Sequence, residues 1–460
     1  ALRYTSELML LSEVPPAHPN PPVSYHVSVT DAAGAEVVAA DVPAADAAGG
    51  KVFPVEMTEG EYRAKVTCTV ADGGEQGKWD RDMRWTPPDR SVWDLRADNV
   101  LMREGEPVFP LMAYHVRQKD LGLIAGSALN IAKCWTTSYP PDWEKPGDGV
   151  GYVEACTEAG VLSVCSGGGL YAPGVQERTA RHYRGNRDLV FYYVDDEPHG
   201  PGRQPEDILR RAEAWNRLDP SHLAFLLHNR ATQFTWYSPA CDVFATDAYP
   251  LRRPEDTDMS RVANWARAAV DSVGWRKPVW MALQCYTTRS TEEGTASRDM
   301  VPRLPTPDEL RCMSYMSLAE GCRGLLYYSF DDTYYSRNGI RGVNIAEEFP
   351  EFWAGMCGVV EELAARADIW TMPYADMPEP TCSNDKIIVQ RRPYAADGKA
   401  YVLVVNPERD LQDAWVQLAG LEGVGQVPDA LGGPPADIRD GLIMAELQPL
   451  QAACYTIPVD

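Results

Sequence analysis

Three consecutive acids leave an apolar run at Tyr192-Tyr193-Val194-Asp195-Asp196-Glu197-Pro198-His199. A surface loop carrying such a cluster would have solvent on both sides, but here the preceding residues, LVFYYV, read as a buried strand. Like charges held this close and partly out of water push one pKa up and leave another low, which supplies a proton donor and a carboxylate base at the same pH. Strand alternation puts Asp195 and Glu197 on one face and Asp196 on the other. Glu197 is therefore the leading candidate for acid–base work, with Asp196 beside it. The bland alternative is a structural cluster that caps the next loop or binds an arginine.

Such acids need a rigid frame. Eight apolar runs, at 107–114, 128–134, 161–166, 189–195, 223–228, 241–246, 278–284 and 323–330, alternate with amphipathic helical patterns. That is the texture of βα units around a parallel sheet, and eight units in this length predict a (β/α)8 barrel over residues 96–372. The helices have readable ends, such as Thr306, Pro307 and Glu309 as N-cap, first-turn proline and capping-box acid, and Gly274 as a stop. Short alternating strands before and after predict a β-sandwich over 1–95 and a second one over 373–460.

In a barrel the open mouth lies at the C-terminal ends of the strands. The acids fall there: Asp196 and Glu197 after strand four, Asp247 after strand six, Asp331 and Asp332 after strand eight. So do groups suited to holding a polyol, whose ring faces stack on aromatics while its hydroxyls need donors and acceptors. Tyr114 and His115 close strand one, and Trp135, Tyr139 and Trp143 follow strand two. Tyr171 follows strand three, His228, Asn229 and Arg230 close strand five with Trp236 beyond, Tyr249 follows strand six, and Gln284 and Tyr286 end strand seven. Each alone reads more readily as packing; their concentration at strand ends carries the argument.

The segments YYVDDEP, NRLDPSH, CDVFATDAYP, KPVWMALQCY and ELRCMSYMSLAEGCRGLLYYSF together resemble the TIM-barrel glycoside hydrolases over about residues 100–370. In the nearest clan strand four ends Asn-Glu-Pro, so the resemblance implies Glu197 as acid/base and Asp196 at the position of the asparagine. It also implies a nucleophilic Glu near the end of strand seven, where this chain has Gln284, which can neither attack nor act as a base. Hydrolysis still needs a second carboxylate across the scissile bond, about 5–5.5 Å from the first for retention or about 6.5–9.5 Å for inversion. Asp247 is the first choice, because strands four and six are a quarter turn apart. Asp331 and Asp332 are the second, and Asp196 acting with Glu197 on a substrate N-acetyl group is the third. The rival reading is a silent carbohydrate-binding protein in which Gln284 marks a lost nucleophile. A scaffold binding other chains through its β-domains is a more distant one.

The chain has 460 residues, with 43 Lys plus Arg against 66 Asp plus Glu and a net charge of −23. So acidic a surface repels phosphate backbones and anionic headgroups, which argues against nucleic-acid and membrane partners, while a carbohydrate substrate is what the resemblance implies. There is no G-x-S-x-G elbow, Walker loop or H-E-x-x-H, and GDGVG at 147–151 lacks a preceding strand, so no cofactor is expected. Nor is a metal expected: Asp195, Asp196 and Asp331 could surround a cation, but no loop has calcium-binding spacing. The eleven cysteines are odd in number and singly spread, which favours packing thiols and, slightly, the cytoplasm. The first residues lack the basic flank and cleavage site of a signal peptide, and a removed leader would permit secretion.

Overall fold

The computed structural model describes residues 7–10, 21–48, 50–55, 57–70, 75–134, 138–141, 150–166, 174–200, 202–253, 255–287, 303–331, 344–421 and 423–459. Its centre is a closed barrel of eight parallel strands in chain order. These are β1 (Leu111–Tyr114), β2 (Ile131–Lys133), β3 (Leu162–Cys165), β4 (Leu189–Asp196), β5 (Leu223–Leu227), β6 (Val243–Asp247), β7 (Val279–Gln284) and β8 (Gly324–Tyr328). Closure is direct, with Leu111, Met112 and Ala113 of β1 in register with Leu325, Leu326 and Tyr327 of β8.

Alternation along each strand builds two cores. Met112, Val164, Phe191, Phe225, Ala245, Trp280 and Leu326 fill the inside. Leu111, Tyr192, Leu226, Phe244, Met281 and Leu325 face the surrounding helices. Among these helices, α1 (Pro205–Leu218) buries Ile208, Ala212 and Trp215, and α2 (Ser260–Val273) ends at the left-handed Gly274. The third, α3 (Pro307–Ala319), opens with the full capping box between Thr306 and Glu309.

One expected strand divides. The run 107–114 contains Pro110, which has no N–H to give to a ladder. Residues Glu106–Val108 instead pair antiparallel with Leu101–Arg103, which pair in turn with Trp93–Leu95. Trp93 and Leu101 of this small sheet join the barrel's inner core.

Before it lies a four-stranded antiparallel sheet in the order 36–43, 22–31, 60–70, 75–85, with a two-stranded ribbon of Glu7–Leu10 and Lys51–Pro54. After the barrel come a five-stranded and a four-stranded antiparallel sheet. Val402, Val404 and Tyr455 of one share a core with Val416, Ile443 and Ala445 of the other. Leu403, Val405 and Cys454 pack with the barrel's outer core, so this region is fastened to the helices. No disulfide joins any of the eleven cysteines, and eight of them are buried. Among the described residues, no helix is long and apolar enough to cross a membrane.

Candidate active site

The end of β4 departs from simple alternation. A bulge between Tyr193 and Asp195 shifts the register against β5, so Asp195 lies opposite Leu226 and Asp196 opposite Leu227. The expected grouping of Asp195 with Glu197 is overturned by this extra residue. Asp195 turns outward and is buried in an ion pair with both Arg203 and Arg211. Asp196 turns towards the mouth, is exposed, and accepts from the Tyr193 hydroxyl at 3.0 Å. Glu197 follows with φ of 41°, an uncommon left-handed value for a side-chain-bearing residue, and its N–H donates to Leu227 O at 3.0 Å.

That re-aiming carries Glu197 to Asp247. Val243, Ala245 and Asp247 share the inner face of β6, and Asp247 is 4% exposed at its top. Glu197 and Asp247 are brought close enough for each carboxyl to act on the other. Burial and the neighbouring Glu197 and Asp196 charges push the Asp247 carboxyl well above the usual carboxylate range, and Tyr249 only partly offsets this. Glu197 is raised too, by burial and then by Asp196, while Asp247, Asn229 and the charge of Arg230 pull it down. Both shifts run towards the neutral acid, so the pair favours holding a proton in common.

Around this pair runs an aromatic floor. Tyr328 stacks on Tyr249 with ring centres 5.2 Å apart, and Tyr286 meets both edge-on. Tyr114 lies 5.8 Å from Tyr328 and shares a hydroxyl hydrogen bond with Tyr193, which passes it on to Asp196. The Lys133 ammonium at the end of β2 is buried between two rings, 4.4 Å from the centre of Tyr114 and 4.7 Å from that of Tyr193. Burial lowers its pKa and the Asp196 charge raises it, so cation, rings and acid form one unit. A lone charged residue ending an apolar run was the available signal for Lys133 in the sequence.

Several expected residues lie elsewhere. Gln284 is fully buried and its amide is spent on backbone: it accepts from Leu251 N and donates to Leu251 O and Arg303 O, each at 3.0 Å. It pins the loop after β6 and presents nothing to the mouth. Asp331 is paired with Arg117 and is not brought to Glu197. His115 is buried beside Tyr328, and burial and Lys133 keep it neutral. Trp236 lines a separate cleft. Trp135, Trp143, Tyr171 and Asp332 lie outside the described residues. His228 stacks on His199 at 4.9 Å, and burial pushes it down to about 3.

No family model matches the chain, and no curated protein matches it. Among solved structures it is similar to a β-D-glucuronidase of Dictyoglomus thermophilum, with 13% identity, 72% of this chain and 62% of that one covered, and a TM-score of 0.37. The chain thus spans less than two thirds of that protein. It is also similar to a Bacteroides vulgatus protein assigned to the glycoside hydrolases, at 12% identity, 100% and 99% coverage and a TM-score of 0.49. A GH30 endoxylanase from Clostridium papyrosolvens C71 matches at 11 to 13% with the others: 12% identity, 76% and 97% coverage and a TM-score of 0.41. The closed parallel barrel, established above by strand pairing, is a TIM-barrel fold with flanking β-sheets.

Proposed function

We propose that the protein hydrolyses a glycosidic bond, with Glu197 and Asp247 as its paired carboxylates. The observation that carries this is the placement of two carboxyls, Glu197 past the end of β4 and the buried Asp247 at the end of β6, together at the mouth of the barrel above a floor of tyrosines. A glycosidic oxygen entering between them takes a proton from the pair as the bond to the anomeric carbon breaks. Both carboxyls are then ionised, one stabilises the cationic sugar, and the water that completes hydrolysis returns its proton to the pair. Asn229 and Arg230 hold Glu197, the more exposed of the two, towards the substrate.

A specific observation favours a second reading, binding without turnover: β7 offers the mouth no carboxylate, since Gln284 is committed to backbone. Hydrolysis of a panel of aryl glycosides and oligosaccharides by the wild type, Glu197→Gln and Asp247→Asn separates the two. Turnover lost about 10²–10⁴-fold in both variants supports the hydrolase. Binding with no turnover in the wild type supports the second reading, and equal turnover in all three removes the pair from the chemistry.

A further inference from the structure

A cavity of about 1240 Å³ lies between the barrel and the four-stranded N-terminal sheet. One wall is barrel: His199, just past Glu197, Arg230, next to Asn229, and then Gln233, Trp236 and Tyr237. The other is the sheet, with Tyr25, Val66 and Trp79 among its residues. The walls are tied by Arg81 of the sheet, whose guanidinium pairs with Glu213 on α1. Arg230 also acts on Glu197, and His199 follows it by two residues, so this end of the cavity lies next to the candidate active site.

Three features say what would lie in it. Trp79, on the edge strand Glu75–Trp85, is 44% exposed, one of only five large apolar side chains so placed among the described residues. Its ring and that of Trp236 border the same space from opposite walls. His199 and Gln233 place an imidazole and an amide in the barrel wall, side chains whose donors and acceptors match hydroxyls. Finally, the volume exceeds the about 300–1,000 Å³ of sites that take one drug-sized molecule.

We infer that the N-terminal sheet forms the second wall of an extended glycan-binding cleft, in which a chain of several neutral sugar units runs from the mouth past His199 and Arg230 and stacks on Trp236 and Trp79. Aromatic faces on both sides suit the ring faces of the sugars, while the imidazole and amide of the barrel wall suit their hydroxyls. The cationic Arg81 and Arg203 in the lining are already paired with carboxylates, Glu213 and Asp195, so neither is left to demand an acidic ligand. This rests on the carbohydrate-handling part of the function proposed above and extends it from a bond to a polymer.

The test is affinity against chain length. Cello-, xylo-, malto- and β-1,3-gluco-oligosaccharides of two to six units are titrated into the wild type, Trp79→Ala and Trp79→Phe, with turnover of the same series by the wild type followed in parallel. The expected result is an affinity that rises with length in at least one series, a rise reduced about three- to ten-fold at six units in Trp79→Ala and kept in Trp79→Phe. Affinity independent of length in every series overturns the inference, as does a rise as steep in Trp79→Ala as in the wild type. Length-dependent binding without turnover keeps the cleft and sinks the hydrolase; turnover without length dependence does the reverse.

Discussion

Glu309 is the residue whose removal the structure prices most sharply. It is 1% exposed, yet ionised, because four donors converge on it. Arg303 clamps both oxygens at 2.6 and 2.7 Å, Arg409 reaches it from the C-terminal sheets, and Thr306 N donates at 2.7 Å. These partners outweigh burial and lower its pKa from 4.5 to about 2. A carboxyl depressed in the folded state contributes stability above its unfolded pKa and loses it as pH falls towards the folded one. That depression is worth about 3 kcal/mol at pH 7, of which about 1 kcal/mol is lost between pH 7 and pH 3.5. Glu309→Gln has no such titration and leaves Arg303 and Arg409 short of a counter-charge. In urea unfolding the variant should therefore be less stable by about 3–5 kcal/mol at pH 7. The gap should narrow by about 1 kcal/mol by pH 3.5. A gap that stays constant over that range refutes the argument, since only a titrating Glu309 makes it close. Because Arg303 O also receives the Gln284 amide, the same variant is expected to loosen the loop after β6.

Three further outcomes follow from the same reasoning. In the wild type, kcat/KM against pH should be bell-shaped, because the pair needs one proton; in Asp247→Asn the alkaline limb of any residual rate should move to lower pH, since Glu197 is raised less than Asp247. An unmoved limb would mean that Asp247 does not hold the proton. Gln284→Glu sets a carboxylate against the Leu251 and Arg303 carbonyls, so thermal unfolding should show a loss of about 2–4 kcal/mol and no gain in turnover, and a gain would identify it as a dormant nucleophile site. Gly324→Ala places a methyl carbon 2.7 Å from the buried Trp280 ring inside the barrel and should cost about 1–3 kcal/mol by chemical denaturation, whereas a neutral result would show that the inner core has slack.

The barrel was legible because its signals are periodic. Alternation assigns Met112, Ala245 and Trp280 to the inside and their neighbours to the helices, and the Thr306 capping box marks a helix start without reference to anything distant. Asp247 was legible for the same reason, being two and four residues on from inward-facing Ala245 and Val243. What misled was any feature that adds or removes one residue from a ladder. The bulge before Asp195 exchanged the faces of Asp195 and Asp196, and Pro110 divided the run at 107–114. Gln284 showed a different limit: its position at the end of β7 was read correctly, but its hydrogen-bond partners come from Leu251 and Arg303, which spacing along β7 does not reveal.

The acidity of the whole chain also takes on a local meaning at the mouth. Three carboxyls, Asp196, Glu197 and Asp247, lie there within electrostatic reach of one another, and three full charges in a partly buried site would repel strongly. The structure lowers that count in two ways. Burial and the neighbouring charges favour the neutral form of the most buried acid, Asp247, and Lys133 is set between Tyr114 and Tyr193, beside Asp196, where desolvation strengthens its attraction to both rings and acid. Arg230 then answers the charge on Glu197. The tyrosine hydroxyls of the floor are poor rival donors, because burial pushes them far above neutrality. In the hydrolysis proposed above, the proton for the leaving group therefore comes from the Glu197–Asp247 pair rather than from the floor.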